Sequence, residues 1–252
     1  MTTDSRFDLY SFWRTSATYR VRVALNLKEV GATEKNVNLD AGENRSAEFL
    51  KINPLGAIPA LIDKAAGAST TPIAQSSAIL EFLEEAFPAP ATLPSSLHGR
   101  ARVRSLAAML TADTHPLITG RIKKYLVTHA NFDDAAWRAW QINWFTSGLQ
   151  AFEARLANES ETGIFCHGDT PTMADICLAS IVVVMRVFKI DVADIPHINR
   201  IMAACEKHPA FIKADPARQV GAPPAAVAVA ATAPEAAPEV APVAAPAPKV
   251  AK

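Results

Sequence analysis

The first half of the chain contains no cysteine. Cys166, Cys177 and Cys205 all lie in the second half, are odd in number, and make no Cys-x-x-Cys spacing. That argues against a disulfide framework and against a zinc site. Each cysteine reads as a small buried apolar residue in a reducing compartment. The chain also lacks a charge excess, with 25 Lys and Arg against 25 Asp and Glu. This gives no support for nucleic-acid binding or for a polybasic contact with a membrane. The polar opening residues are not followed by an apolar core, so no secretory leader is read and a cytoplasmic location is expected. Long apolar runs are missing too. The longest spans Ile176 to Met185, well short of the roughly 20 residues needed to cross a bilayer, and reads as a buried helix.

The 252 residues are half hydrophobic and one fifth charged. That fits one or two soluble domains with a large core. Residues 5–87 alternate strand-like and helix-like patterns. Phe7–Phe12 is strand-like, Ser16–Val30 helical, Glu34–Leu39 strand-like and Ala47–Ile52 helical. Ala60–Ile62 then reads as a short strand and Gln75–Ala86 as a helix with Ile79, Leu80, Phe82 and Leu83 on its apolar face. The alternation predicts an α/β layer. Residues 88–98, with Pro88, Pro90 and Pro94, read as a linker.

Residues 99–216 are helical in pattern throughout. The periodicity predicts helices over Arg100–His129, Asp133–Ala157, Thr172–Phe188 and His197–Glu206, with Pro116 kinking the first. Thr172 and Asp175 have the spacing of a capping box. Trp137, Trp140, Trp144 and Phe145 recur at three and four, which reads as a core stripe. From residue 222 to 252 Ala, Pro and Val dominate, and Pro234, Pro238, Pro242 and Pro246 recur every four residues. That predicts an extended or disordered tail, a spacer dispensable for folding and activity.

Three elements of the first part carry the chemistry. Thr15, Ser16 and Thr18 sit where a helix begins, and a helix N-terminus favours an anion. Asn53-Pro54 leads to Ile58-Pro59, just before a strand. A cis bond there leaves the Ile58 backbone free to pair with an extended peptide. Gln75 and Ser76 stand at a second helix start, where hydroxyl and N–H groups hold a carboxylate. Together they describe a cleft for a short anionic peptide, with its reactive atom at Thr15 and Ser16.

This order and spacing resemble the glutathione transferase superfamily over about residues 7 to 215. Within it the chain looks most similar to the zeta class, which includes maleylacetoacetate and maleylpyruvate isomerases. The matching residues are Tyr10 to Ser16, Arg20 to Leu25, Asn53-Pro54, Ile58-Pro59 and Gln75-Ser76. Asp113 to Leu117, Gly168 to Asp175 and Phe188 to Val192 match as well. The resemblance implies a thioredoxin-like glutathione-binding domain, an all-α domain and a homodimer.

It also implies roles for single residues. Thr15 takes the place of the serine that polarises the glutathione sulfur, and Ser16 follows it. Ile58 pairs with the cysteinyl backbone, Pro59 is the cis proline, and Gln75 and Ser76 hold the γ-glutamyl end. His115 contacts glutathione and Arg14 holds a substrate carboxylate. The sequence departs from the family at two places. Ala17 replaces the motif cysteine, and Val187 replaces an arginine, leaving Arg186 as the nearest cation for the substrate. The implied activity is cis–trans isomerisation of a maleyl-type diacid by thiolate addition, bond rotation and elimination. A general glutathione transferase acting on electrophiles such as halogenated acids is the competing reading. A non-catalytic protein that keeps the fold is a third.

Overall fold

The strand Phe7–Ser11 (β1) buries alternate residues, with Phe7 and Leu9 fully enclosed. That is the period-two pattern of a strand lying against a core. In this computed structural model, which describes residues 5–67 and 70–223, β1 is central to a four-stranded sheet of order β2-β1-β3-β4. Ala32–Asn36 (β2) runs parallel to β1. Ala60–Asp63 (β3) runs antiparallel to β1, and Ile73–Ala74 (β4) antiparallel to β3.

Three helices belong to this α/β part: Ser16–Leu27 (α1), Ala47–Ile52 (α2) and Ser76–Ala86 (α3). The remaining helices are Leu97–Ala108 (α4), Gly120–Ala130 (α5), Asp134–Asn158 (α6), Met173–Val187 (α7), Pro196–Cys205 (α8) and Pro209–Ala214 (α9). Helix α7 is enclosed from Met173 to Val182 and touches α1 and α4. The Thr172–Asp175 pairing forms as expected: Asp175 accepts from the Thr172 N–H and hydroxyl and also from the Cys166 N–H. The three cysteines are buried thiols. Among the described residues no helix is long and apolar enough to cross a membrane.

The structure moves several expected boundaries. Helix α1 stops at Leu27, where Lys28 caps it and Glu29 turns to positive φ. Strand β2 lies earlier than Glu34–Leu39 because it is an exposed edge, and its side chains show no buried alternation. The single helix expected over residues 100–129 is three pieces. After α4 the chain makes a π-helical turn at Met109–Thr114 and a 3-10 turn at His115–Ile118 before α5 begins. Pro116 stands in that 3-10 turn, at the expected break. Strand β4 and helix α9 were not expected. The Ala/Pro-rich tail lies, beyond Pro223, outside the described residues.

Candidate active site

Sheet register decides which loops meet. Ala60, the first residue of β3, lies opposite Tyr10 near the end of β1 and opposite Ala74 at the end of β4. The loop after β1, the turn before β3 and the start of α3 after β4 therefore share one end of the sheet. These are the three stretches singled out by their chemistry.

The loop after β1 is fixed by a buried arginine. Arg22 of α1 donates twice to Glu34 of β2, at 2.8 and 2.7 Å, and once to the Trp13 carbonyl at 3.2 Å. Ser11 adds a bond to the same carboxylate at 2.6 Å. Burial opposes the charge of Glu34, but Arg22 and Ser11 outweigh it and lower the carboxyl pKa. This anchor sets the entry to α1. Thr15 is its N-cap, half-buried, with its hydroxyl donating to Thr18 Oγ1 at 2.7 Å. Ser16 Oγ is fully enclosed and has no partner among the described residues. Ala17 fills the next position, buried. Arg14 lies over the rings of Phe12 and Trp13 and meets both oxygens of Asp40, at 2.7 and 2.5 Å.

The turn before β3 is held by Asn53, whose Nδ2 donates to the Ala57 carbonyl at 2.6 Å and whose Oδ1 accepts from the Leu55 N–H. Gly56 is required there. Its φ is +63°, and a Cβ would lie 2.8 Å from both the Arg45 guanidinium and the Asn44 carbonyl. The Ile58–Pro59 bond is cis. Ile58 lies just outside the β3 ladders, with its backbone at the open end of the sheet.

Gln75 is the N-cap of α3, exposed, at a φ of +70° that non-glycine residues rarely take. Backbone strain of this kind persists where a site demands it. It leaves Ser76 as the first residue of α3, with the free N–H groups of the helix start around it. Ser76 Oγ accepts from Arg20 at 3.0 Å. Arg20 is fully buried, and its Nε donates to Ser180 of α7 at 2.8 Å.

His115 opens the 3-10 turn between α4 and α5. Burial and the nearby cations Arg20 and Arg121 hold its pKa well below the usual value, so it is a neutral imidazole at pH 7. Arg186 is placed differently. Its guanidinium pairs with Glu206 just after α8, and its charge is felt by Tyr19. Val187 is part-exposed at the end of α7.

The sequence pattern did not single out Arg20 or Arg121 for a role. A signal existed for Arg121: a cation in the first turn of α5 opposes the helix dipole and needs another reason to be there. Arg20 gave no such signal, because its partners lie 56 and 160 residues away.

The comparisons agree with one another. The family described as Glutathione S-transferase, N-terminal domain, matches residues 5–85. A maleylpyruvate isomerase of Ralstonia sp. is 42% identical over 211 residues, which is 84% of this chain and 97% of that protein. Among solved structures, a holo maleylpyruvate isomerase, described as a bacterial glutathione transferase of the zeta class, is 40% identical with a TM-score of 0.81. The match covers 86% of this chain and 100% of that one. The maleylacetoacetate isomerase of Methylobacterium extorquens AM1, solved with bound malonate and glutathione, is 41% identical with a TM-score of 0.82, over 86% of this chain and 99% of that one.

Proposed function

The chain belongs to the glutathione transferase family, among the zeta-class maleylpyruvate and maleylacetoacetate isomerases, and from that premise we propose that it is a glutathione-dependent cis–trans isomerase of a maleyl-type diacid. The observation that carries the reading is the meeting of three features at one end of the sheet. They are the start of α1 at Thr15-Ser16, the Ile58–cis-Pro59 turn and the start of α3 at Gln75-Ser76.

Glutathione lies along this end in extended form. Its γ-glutamyl carboxylate meets Ser76, Gln75 and the free N–H groups of α3. Its cysteinyl backbone pairs with Ile58, and Pro59 shapes the turn. The sulfur lies at the start of α1. There the helix dipole and the Thr15 hydroxyl favour thiolate over thiol. Thr15 serves better than Ser16 because Ser16 Oγ is closed off from any ligand. His115, neutral, is available as a hydrogen-bond partner without adding charge.

The thiolate adds to the cis double bond beside a carbonyl, forming a carbon–sulfur bond and an enolate. The former double bond is now single and rotates. Collapse of the enolate expels the thiolate and leaves the trans isomer. The protein's part is to lower the thiol pKa, align the diacid and stabilise the enolate. Arg14 and Arg186 are the cations for the diacid carboxylates, each in an exposed pair whose carboxylate can be exchanged, and bidentate pairing suits a guanidinium to that task.

A second reading, a transferase acting on halogenated acids, is favoured by one observation: Val187, exposed at the end of α7, offers no charge. Ultraviolet-monitored isomerisation of maleylpyruvate and maleylacetoacetate, with and without glutathione, tests the first reading. Isomerisation only with glutathione supports it. Turnover of halogenated acids without isomerisation replaces it by the second. We further propose a homodimeric, cytoplasmic protein, supported by the family membership and tested by sedimentation at micromolar concentration.

A further inference from the structure

Four cations are buried among the described residues: Arg20, Arg22, Lys28 and Arg102. Three of them meet a carboxylate. Arg22 pairs with Glu34, Lys28 with Glu84 and Arg102 with Glu159. Arg20 is the most enclosed of the four, at 2% exposure, and among the described residues its guanidinium hydrogen-bonds only two serine hydroxyls. Leaving a buried charge without an opposite charge is costly, so such a group calls for an explanation.

The two serines are not equivalent. Ser180 accepts from Arg20 and passes its own proton to the Cys177 carbonyl at 2.7 Å. That side is closed. Ser76 also accepts from Arg20, but no acceptor among the described residues takes its proton. Its hydroxyl is therefore oriented by the guanidinium and left to donate outward, at the start of α3. A donor backed by a fixed charge makes a stronger hydrogen bond to an anion.

We infer that Arg20 is a positioning residue for the anionic γ-glutamyl end of glutathione: it orients the Ser76 hydroxyl and supplies the positive charge behind it. The inference rests on the reading of Gln75 and Ser76 as the γ-glutamyl site. Arg20 does not touch the ligand. Its third nitrogen, Nη2, is enclosed and has no hydrogen-bond partner among the described residues. The bound carboxylate completes, through Ser76, the counter-charge that the other buried cations obtain from Asp or Glu side chains. Burial first, and then the positive field of Arg20 and Arg121, keep His115 neutral, which avoids a further cation in the field of Arg20.

A purely structural clip between α1, α3 and α7 would also use a buried arginine. Such a clip is blind to the charge of the ligand, and that difference is measurable. Calorimetry compares glutathione with its analogue lacking the γ-glutamyl α-carboxylate, on the wild type, Arg20→Gln, Arg20→Lys and Ser180→Ala. Arg20→Gln is expected to lose tenfold or more in affinity for glutathione and less than twofold for the analogue. Arg20→Lys is expected to fall between, losing threefold or more for glutathione alone. Ser180→Ala keeps the bond to Ser76 and is expected to keep the wild-type preference for glutathione. Equal losses for both ligands in Arg20→Gln, or no loss for either, overturn the inference and leave the function standing. If Arg20→Gln does not fold, Arg20→Lys decides by the same criterion. A wild type that does not bind glutathione at all overturns the functional reading and this inference together.

Discussion

The hydroxyl of Thr15 donates to Thr18 Oγ1, 2.7 Å away within α1. Its proton thus points into the helix and must swing outward to meet a sulfur. Thr18 is fully buried and holds its place. Thr18→Val keeps the shape and removes the nearer acceptor, leaving the longer bond to the Phe12 carbonyl, at 3.4 Å, to compete with the thiolate for the Thr15 proton. A hydrogen bond to a charged group contributes about 1.5–3 kcal/mol, or about one to two pKa units. Thr15→Val is expected to raise the bound thiol pKa by about that amount, and Thr18→Val to lower it by a smaller one. Ser16→Ala is expected to leave it unchanged. Titration of thiolate absorbance in the complex checks all three. A rise in Ser16→Ala alone would move the donor to Ser16.

Gly148 of α6 faces Thr114 at the end of the π-helical turn. A Cβ built at Gly148 would lie 2.3 Å from Thr114 Oγ1 and 3.0 Å from its methyl. Alanine is the better helix former by about 1 kcal/mol, but here packing overrides propensity. Gly148→Ala is expected to destabilise by about 1–3 kcal/mol, the usual cost of overpacking. Because His115 follows Thr114 directly, glutathione affinity should fall as well. Urea unfolding and calorimetry measure the two effects. An unchanged midpoint would show that Thr114 moves aside freely.

That contact explains what the sequence did not disclose. Periodicity ran on through residues 100–129, and only Pro116 marked a break. The π-helical turn arises where α6 comes close enough for Thr114 to fill the space above Gly148, which is a tertiary fact. Helix α2 was legible to the residue, because Ser46 caps it by accepting from the Phe49 N–H and Asn53-Pro54 stops it. The cis turn and the Gln75-Ser76 helix start were legible for the same local reason. Strand β4, two residues long, carries too little pattern to be read. The partners of Arg14 and Arg186, Asp40 and Glu206, come from other elements, and no local spacing announces them.

Glu84 of α3 is buried and accepts from Lys28 Nζ, the Thr92 N–H and hydroxyl, and the Leu93 N–H. Burial alone would raise its pKa, but the bonds from Lys28 and Thr92 outweigh it, and the net shift is downward. A carboxyl with a lowered folded pKa adds stability above its unfolded value near 4.3. That stability is lost as pH falls through the folded pKa. Glu84→Gln leaves Lys28 buried without its partner and is expected to cost about 3–5 kcal/mol at pH 7. The variant's stability should also vary less with pH below about 4.5 than the wild type's. Denaturant unfolding from pH 3 to 7 checks both. Parallel curves for the two proteins would show that Glu84 does not set the acid limb.

Arg14 is bound at both ends of its guanidinium by Asp40, yet it is proposed to hold a carboxylate of the substrate. The two statements are compatible because the pair is exposed, with 33% and 60% of the side chains accessible. An exposed pair contributes about 0–1 kcal/mol, so exchanging one carboxylate for another is cheap. The Phe12 and Trp13 rings beneath the guanidinium hold its plane while the partner changes. Asp40 is then a competitor for the substrate. Asp40→Asn is expected to lower KM for the diacid by about two- to fivefold, the equivalent of up to about 1 kcal/mol, with glutathione affinity unaltered. Arg14→Met is expected to raise KM about tenfold or more, since a charge-assisted pair is lost. Steady-state kinetics at saturating glutathione separate the outcomes. If Asp40→Asn raises KM instead, Asp40 orients Arg14 for the substrate and is not a competitor. If Arg14→Met leaves KM unchanged, the diacid is gripped elsewhere, and Arg186, in its exposed pair with Glu206, becomes the residue to replace.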